Sequence, residues 1–314
     1  MSKQIYKDKF YTHFDKKKYH TNYEQSVQNI NWVSRHGFYP FIHFQMDCSK
    51  YTNDLEGNKF IKEKNRDIYY AAHIDRFIYE YYGNRLNSKY NNYMKSKGIG
   101  RVSTAYRNCS PGKCNIDFAK EVFEYIAKCE SAYIFVGDFS KFFDNLDHRY
   151  LKEKIKCVVG EKSLDVADYA IYKNITKFTY VEADDIEAEK GLFRRDMREL
   201  DKYFETDEFH DFKKKHLHKN SKDYQIPQGS SISAVYANVY MIDFDKRIND
   251  FITSQKGIYR RYCDDIIVVI PMTRNEINCG RNEEISKFIY DTRDGIPNLK
   301  LNEDKTEHFF YNNG

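Results

Sequence analysis

Metal-binding cysteine pairs are missing from this chain. Its cysteines, at positions 48, 109, 114, 129, 157, 263 and 279, are odd in number, and no two stand as Cys-x-x-Cys. That spacing argues against zinc and fits reduced thiols in a cytosolic protein. No N-terminal apolar stretch resembles a signal peptide, and no run approaches the length of a membrane span. The expectation is therefore a soluble, cytoplasmic protein without a membrane partner. Repeats, low-complexity tracts and Pro/Ser-rich linkers are also lacking. Charge of one sign is not in excess: 51 Lys and Arg face 47 Asp and Glu, for a net +4. That balance merely permits nucleic acid binding, so a local electropositive channel would have to come from folding. The glycines of Lys97-Gly98-Ile99-Gly100-Arg101 make no dinucleotide fingerprint, because no strand–turn–helix context surrounds them.

Apolar and aromatic residues are plentiful. A hydrophobic content of 41% suffices for a core and for two or three subdomains. Tyr and Phe dominate the 17% aromatic content. A few of these rings could stack on bases, but core packing accounts for most.

Two acidic sites stand out. Arg261-Tyr262-Cys263-Asp264-Asp265 runs into Ile266-Ile267-Val268-Val269-Ile270, a β-branched run expected to form a buried strand. Adjacent acids at its tip face solvent, a cation, or both; a plain hairpin turn is the bland alternative. Upstream, Ala132-Tyr133-Ile134-Phe135-Val136-Gly137 reads as a strand delivering Asp138 at its end. A turn through Phe142 and Phe143 then leads to a helix capped by Asp147. If the two strands are neighbours, Asp138 and Asp264 can hold two divalent ions roughly 4 Å apart, as in-line phosphoryl transfer requires. Magnesium suits such a site because it takes few carboxylates. Between the acidic segments lies Gln225-Ile226-Pro227-Gln228-Gly229-Ser230-Ser231, a tight loop with a serine placed to cap the helix beyond it.

In this order, the segments from Asp138 to Asp144, Pro227 to Asn238, Tyr262 to Asp265 and Leu301 to Thr306 resemble the reverse transcriptase family. Weaker likeness reaches back through Lys64-Asn65-Arg66-Asp67-Ile68 and His73-Ile74-Asp75-Arg76, so roughly residues 55–310 are covered. The resemblance implies an α+β right-hand polymerase fold, with an antiparallel palm sheet flanked by helices and helical fingers. The family's primer-grip hairpin and thumb would follow the palm, and they are not part of this sequence. The implied organisation is a basic N-terminal extension (1–40), fingers (41–130), a first palm segment (131–160), a charged helical finger insert (161–225) and a second palm segment (226–314).

The resemblance further implies an RNA-directed DNA polymerase using two magnesium ions, with manganese as a substitute. Asp138 and Asp264 would be ligands, Asp265 a supporting carboxylate, and the Phe139 carbonyl an added donor. Lys305 would protonate the leaving pyrophosphate; its bland alternative is an exposed lysine. Lys64 and Arg66 would clamp the triphosphate, Gln228 and Gly229 would lie against the templating pair, and Phe143 would exclude a 2′-hydroxyl. Tyr262 is assigned to nucleic acid. The basic cluster Lys213, Lys214, Lys215 and Lys219 either meets template phosphates or is a solvated helix face. His73, at the head of a helical pattern, reads as a structural histidine.

Among subgroups, the His73-to-Tyr82 segment and Cys263 look closest to bacterial abortive-infection and defence-associated enzymes. The partners implied are deoxynucleoside triphosphates, a DNA product and a dedicated structured RNA template, with template-independent synthesis as a variant. Either the sequence is a fragment of a longer chain, or a second copy or another chain supplies the grip. Retron or group II intron enzymes, an RNA-dependent RNA polymerase and a non-catalytic RNA-binding scaffold are the alternatives.

Overall fold

The computed structural model describes residues 8–53, 57–63, 65–107 and 112–313. In chain order the strands are β1 (Phe41–Asp47), β2 (Lys50–Asn53), β3 (Lys59–Lys62), β4 (Asn65–Tyr70), β5 (Ser131–Asp138), β6 (Thr179–Glu182), β7 (His218–Lys219), β8 (Ile258–Tyr262), β9 (Asp265–Pro271) and β10 (Glu307–Asn312). The chain divides into two compact units. Residues 1–83, 164–222 and 226–233 form the first, and residues 84–163, 223–225 and 234–314 the second.

In the first unit a mixed sheet runs β4-β1-β6-β7, with β1 antiparallel to β4 and parallel to β6. Its core gathers Phe14, Ile42, Val181, Ile186, Met197, Phe204 and Phe212. Phe14 alone packs its ring on Tyr203, Phe204, Phe209 and Phe212. Much of the aromatic wealth is spent here on packing.

Residues 8–40, expected as a basic extension, are instead built into this unit. Three polar residues tie them down. Thr12 Oγ1 donates to the Met197 carbonyl at 2.8 Å. Asp15 accepts from the backbone N–H groups of His73 and Ile74, both at 3.1 Å, and so caps the helix His73–Ser96 from outside it. Asp15 also holds His73 Nδ1 at 2.8 Å, which makes His73 the expected structural histidine. Farther along, buried Asp75 binds His36 Nε2 at 2.6 Å and the Tyr39 N–H at 2.9 Å. Each tether satisfies a polar group that burial would otherwise penalise. The 161–225 stretch, expected to be helical, also differs, because it contributes β6 and β7 to the sheet.

Fully buried His13 sets an acid limit on this unit. The Phe14 N–H donates to its Nδ1 at 2.8 Å, so Nε2 carries the proton and faces the Tyr70 carbonyl at 3.3 Å. Burial lowers its pKa from 6.5 to about 4, against the pull of Asp15. A base with a depressed folded-state pKa stabilises fully above its unfolded value and loses that contribution as pH falls. Acidification from pH 6.5 to 4 should therefore cost roughly 3 kcal/mol through His13. Asp75, raised to about 6 by burial, works the opposite way in the same window. Comparing urea unfolding of wild type and His13→Asn across that range isolates the histidine. Identical pH slopes would discard the assignment.

In the second unit a sheet runs β10-β5-β9-β8, antiparallel throughout. Beta-branched and aromatic residues make β5 and β9 its inner pair, with Tyr133, Phe135, Val268, Val269 and Ile270 buried. The helices Asn115–Ile126 and Ile242–Ser254 flank it. Val122 and Ile126 of the first pack with Ala132 and Val269. Upstream of β10, Asn298 takes a left-handed φ of 56° and Glu303–Lys305 forms a 3-10 turn, so the strand begins only at Glu307. Before it, Arg274–Asn278 and Arg281–Asp294 form two helices, divided at Gly280 with φ 84°. No helix among the described residues is long and apolar enough to cross a membrane.

Candidate active site

Antiparallel register places the carboxylates. Asp138 ends β5 and stands directly opposite Asp265, the first residue of β9. The β8–β9 hairpin turns through Cys263 and Asp264, between the paired Tyr262 and Asp265. Cys263 adopts a left-handed φ of 59° and is buried, which leaves the acids at the tip. Backbone bonds lock this tip to two other segments. The Phe139 N–H donates to the Asp264 carbonyl at 3.1 Å, the Ser140 N–H to Lys300 at 2.8 Å, and the Asn302 N–H to Asp138 at 2.7 Å. The 3-10 turn that follows brings the Lys305 ammonium onto Asp138 Oδ2 as an ion pair.

Three carboxylates in one place repel one another. Partial burial, the charges of Asp264 and Asp138 and a hydrogen bond with Asp138 push the Asp265 pKa up to about 6, with Lys305 pulling the other way. Asp138 is only 9% exposed. Among the described residues no three His, Cys, Asp or Glu side chains form a ready-made metal cage. The oxygen donors nevertheless fit a hard cation such as magnesium, which takes one or two carboxylates and completes its shell with water and phosphate.

Phe139 and Phe142 are buried, and Phe139 packs edge-on against Phe244. Phe143 sits on the 3-10 turn Phe142–Asn145, is half-buried, and its ring lies at 68° to that of Phe142. Asp147 caps the helix His148–Val159 as expected, accepting from the Tyr150 N–H at 2.7 Å. Tyr262 is 43% exposed beside the acids.

The remaining described candidates belong to the first unit. The Gln228 carbonyl accepts from the Tyr69 N–H at 2.8 Å. Gly229 has φ 130°, and a Cβ there would meet the Tyr69 carbonyl oxygen at 2.3 Å, so only glycine fits this close approach. Ser230 caps the helix Ser231–Tyr240 through the Ser233 N–H at 3.3 Å. Arg66 is exposed on β4, and Lys64 lies outside the described residues. Lys213, Lys214 and Lys215 occupy the last turn of the helix Thr206–His216, where cations complement the helix dipole. Lys214 pairs with Asp211 and Lys215 with Glu189, while Lys213 lies over the Phe209 ring. Lys219 is exposed on β7.

Sequence reasoning missed what holds the hairpin from below. Arg261 is fully buried and forms a two-pronged pair with Asp245 at 2.8 and 2.7 Å. Its Nη1 donates to the Cys263 carbonyl at 2.8 Å and to Asn238 Oδ1 at 3.1 Å. Tyr259 donates to Asp245 at 2.9 Å, and Ser103 to Asn238 at 3.0 Å. A signal was available: Asp245 interrupts an apolar helical stripe with Met241, Ile248 and Ile252, and one acid on such a face calls for a buried cation. Tyr106 was also missed. It has φ 58° and is half-exposed. Burial, with Cys263 and Asp264 close by, raises its pKa. Nothing in Ala105-Tyr106-Arg107 announces that position.

No protein-family model and no curated protein matches this sequence. Solved structures do match in fold. Apo telomerase from Candida tropicalis, truncated from its C-terminal domain, aligns with TM-score 0.51 and 14% identity over 94% of this chain and 56% of that one. Telomerase from Candida albicans, in complex with a TWJ fragment of telomeric RNA, aligns with TM-score 0.51 and 12% identity over 91% of this chain and 45% of that one. The chain thus spans about half the length of these telomerases. At such identity the likeness is one of fold: a mixed α/β chain with sheets and flanking helices, as in telomerase.

Proposed function

We propose that this chain is a reverse transcriptase-type nucleic acid polymerase that adds deoxynucleotides to a primer on an RNA template. The observation that carries the reading is the register pairing of Asp138 with Asp265, with Asp264 beside them at the hairpin tip. The fold shared with telomerase, itself a reverse transcriptase-type polymerase, supports it. So does the RNA bound by the Candida albicans protein. On this reading the second unit is the palm, and β1 to β4 belong to the fingers.

Asp138 and Asp264 would hold two magnesium ions, with Asp265 in support. When bound, the ions activate the primer 3′-hydroxyl and stabilise charge on the departing pyrophosphate. Lys305 leaves Asp138 to donate a proton to that pyrophosphate. Arg66 offers a two-pronged grip on the triphosphate. Gln228 and Gly229 supply backbone against the templating pair. Similarity of the His73-to-Tyr82 segment and of Cys263 to bacterial defence-associated enzymes supports a dedicated structured RNA as template.

Sugar choice tests the reading. Phe143 would form a close-packed wall under the incoming sugar, leaving no room for a 2′-hydroxyl. Wild type should incorporate deoxynucleotides on a primed RNA template only with magnesium or its substitute manganese. Phe143→Ala should lower the preference for deoxynucleotides by more than about tenfold, the scale of one lost steric contact in a pocket. Equal use of both sugars by wild type would favour an RNA polymerase, and no incorporation on any primed template would sink the proposal.

A further inference from the structure

An open cleft of about 310 Å³ lies in the second unit, lined by Lys95, Arg101, Asn249, Arg260 and the Gly98–Gly100 turn. Every ionisable side chain on its wall is a cation. Arg260 forms the base. Strand alternation turns Arg261 inward to Asp245 and Arg260 to the opposite face. The Arg260 side chain is only 15% exposed, and its Nε has no hydrogen-bond partner. Its Nη1 donates to the Tyr259 carbonyl at 2.9 Å. The acid nearest its Nη2 is Glu121, at a distant 3.8 Å, and Glu121 is already bonded to Lys113 at 2.7 Å. Lys95 and Arg101 have exposed head groups, and neither is ion-paired among the described residues.

Three cations around one cleft, with a single shared carboxylate nearby, leave uncompensated positive charge. The Arg260 guanidinium is mostly buried and meets only one distant, shared carboxylate, so an anion in the cleft would offset part of its desolvation. Two guanidinium forks, one ammonium and the Asn249 amide match a tetrahedral oxyanion with several acceptor oxygens better than a single carboxylate. We infer that this cleft seats a phosphate group of a nucleic acid strand, as a contact separate from the carboxylate cluster. The phosphate chemistry stands on the cleft itself; the strand as its source rests on the polymerase reading.

The test uses the full chain and a labelled single-stranded RNA of roughly 12 nucleotides, long enough to cover one binding groove. Affinity is measured against salt for wild type and for Lys95→Glu/Arg101→Glu, whose exposed head groups can be reversed without disturbing the core. The double variant should bind about tenfold or more weakly, and its slope of log affinity on log salt should be shallower by about 1 to 2. Arg260→Gln, which keeps a polar base but removes the charge, should move both quantities in the same direction. Unchanged affinity and slope in all variants would overturn the inference. If inorganic phosphate raises the melting temperature of wild type alone while RNA binding is the same in every variant, the cleft takes free phosphate and the strand assignment is wrong. A wild type that binds RNA through this cleft yet never extends a primer would sink the polymerase reading and leave this one standing.

Discussion

Asp264→Asn should cut magnesium-dependent incorporation by roughly two decades or more, the scale of several kcal/mol of lost metal-assisted charge stabilisation. The change is isosteric and sits at a half-buried hairpin tip, where the backbone carbonyl rather than the side chain holds Phe139. Folding should therefore survive. Asp265→Asn provides the contrast. Its carboxylate is the one whose ionisation its neighbours oppose, so neutralising it relieves repulsion. Without magnesium, Asp265→Asn should melt at or above the wild-type temperature while losing activity to a smaller degree than Asp264→Asn. Retention of more than a few per cent of wild-type incorporation by Asp264→Asn would remove the central claim. A lower melting temperature for Asp265→Asn would show that the acids are structural.

The second large effect concerns Asp245→Asn. It leaves Arg261 fully buried with its charge uncompensated, and breaking a buried pair from one side costs about 3–5 kcal/mol. Replacing both partners by apolar residues of similar volume, Asp245→Leu with Arg261→Met, should restore most of that stability, because the desolvation penalty goes with the charges. The double variant also loses the guanidinium bond to the Cys263 carbonyl, so the turn bearing Asp264 is no longer held from below. Stability should return in urea unfolding while incorporation stays impaired. Recovery of both together would mean the pair does not position the turn.

Local sequence carried the strands that present the acids. The apolar runs before Asp138 and after Asp265 are long enough to declare themselves, and Asp147 and Ser230 announced their helices by capping chemistry. What escaped depends on partners far along the chain. Asp15 looks like an ordinary surface acid until His73 and Ile74 are brought to it. Strand β6 has four residues inside a charged stretch, and its pairing with Phe41–His43 is invisible to any local window. Single residues in left-handed backbone, Asn298 and Gly280, divide elements that periodicity would run together.

The two units are interleaved along the chain, and this has a consequence for synthesis. The first unit needs residues up to 233, and the second resumes at 234. Strand β5 therefore leaves the ribosome long before β9 and β10, the neighbours that close its two edges. Apolar strand edges left open invite pairing with other chains. The nascent chain should consequently depend on a holdase chaperone from about the time Asp138 emerges until Asn312 has been added, and the carboxylate cluster is among the last features to take shape.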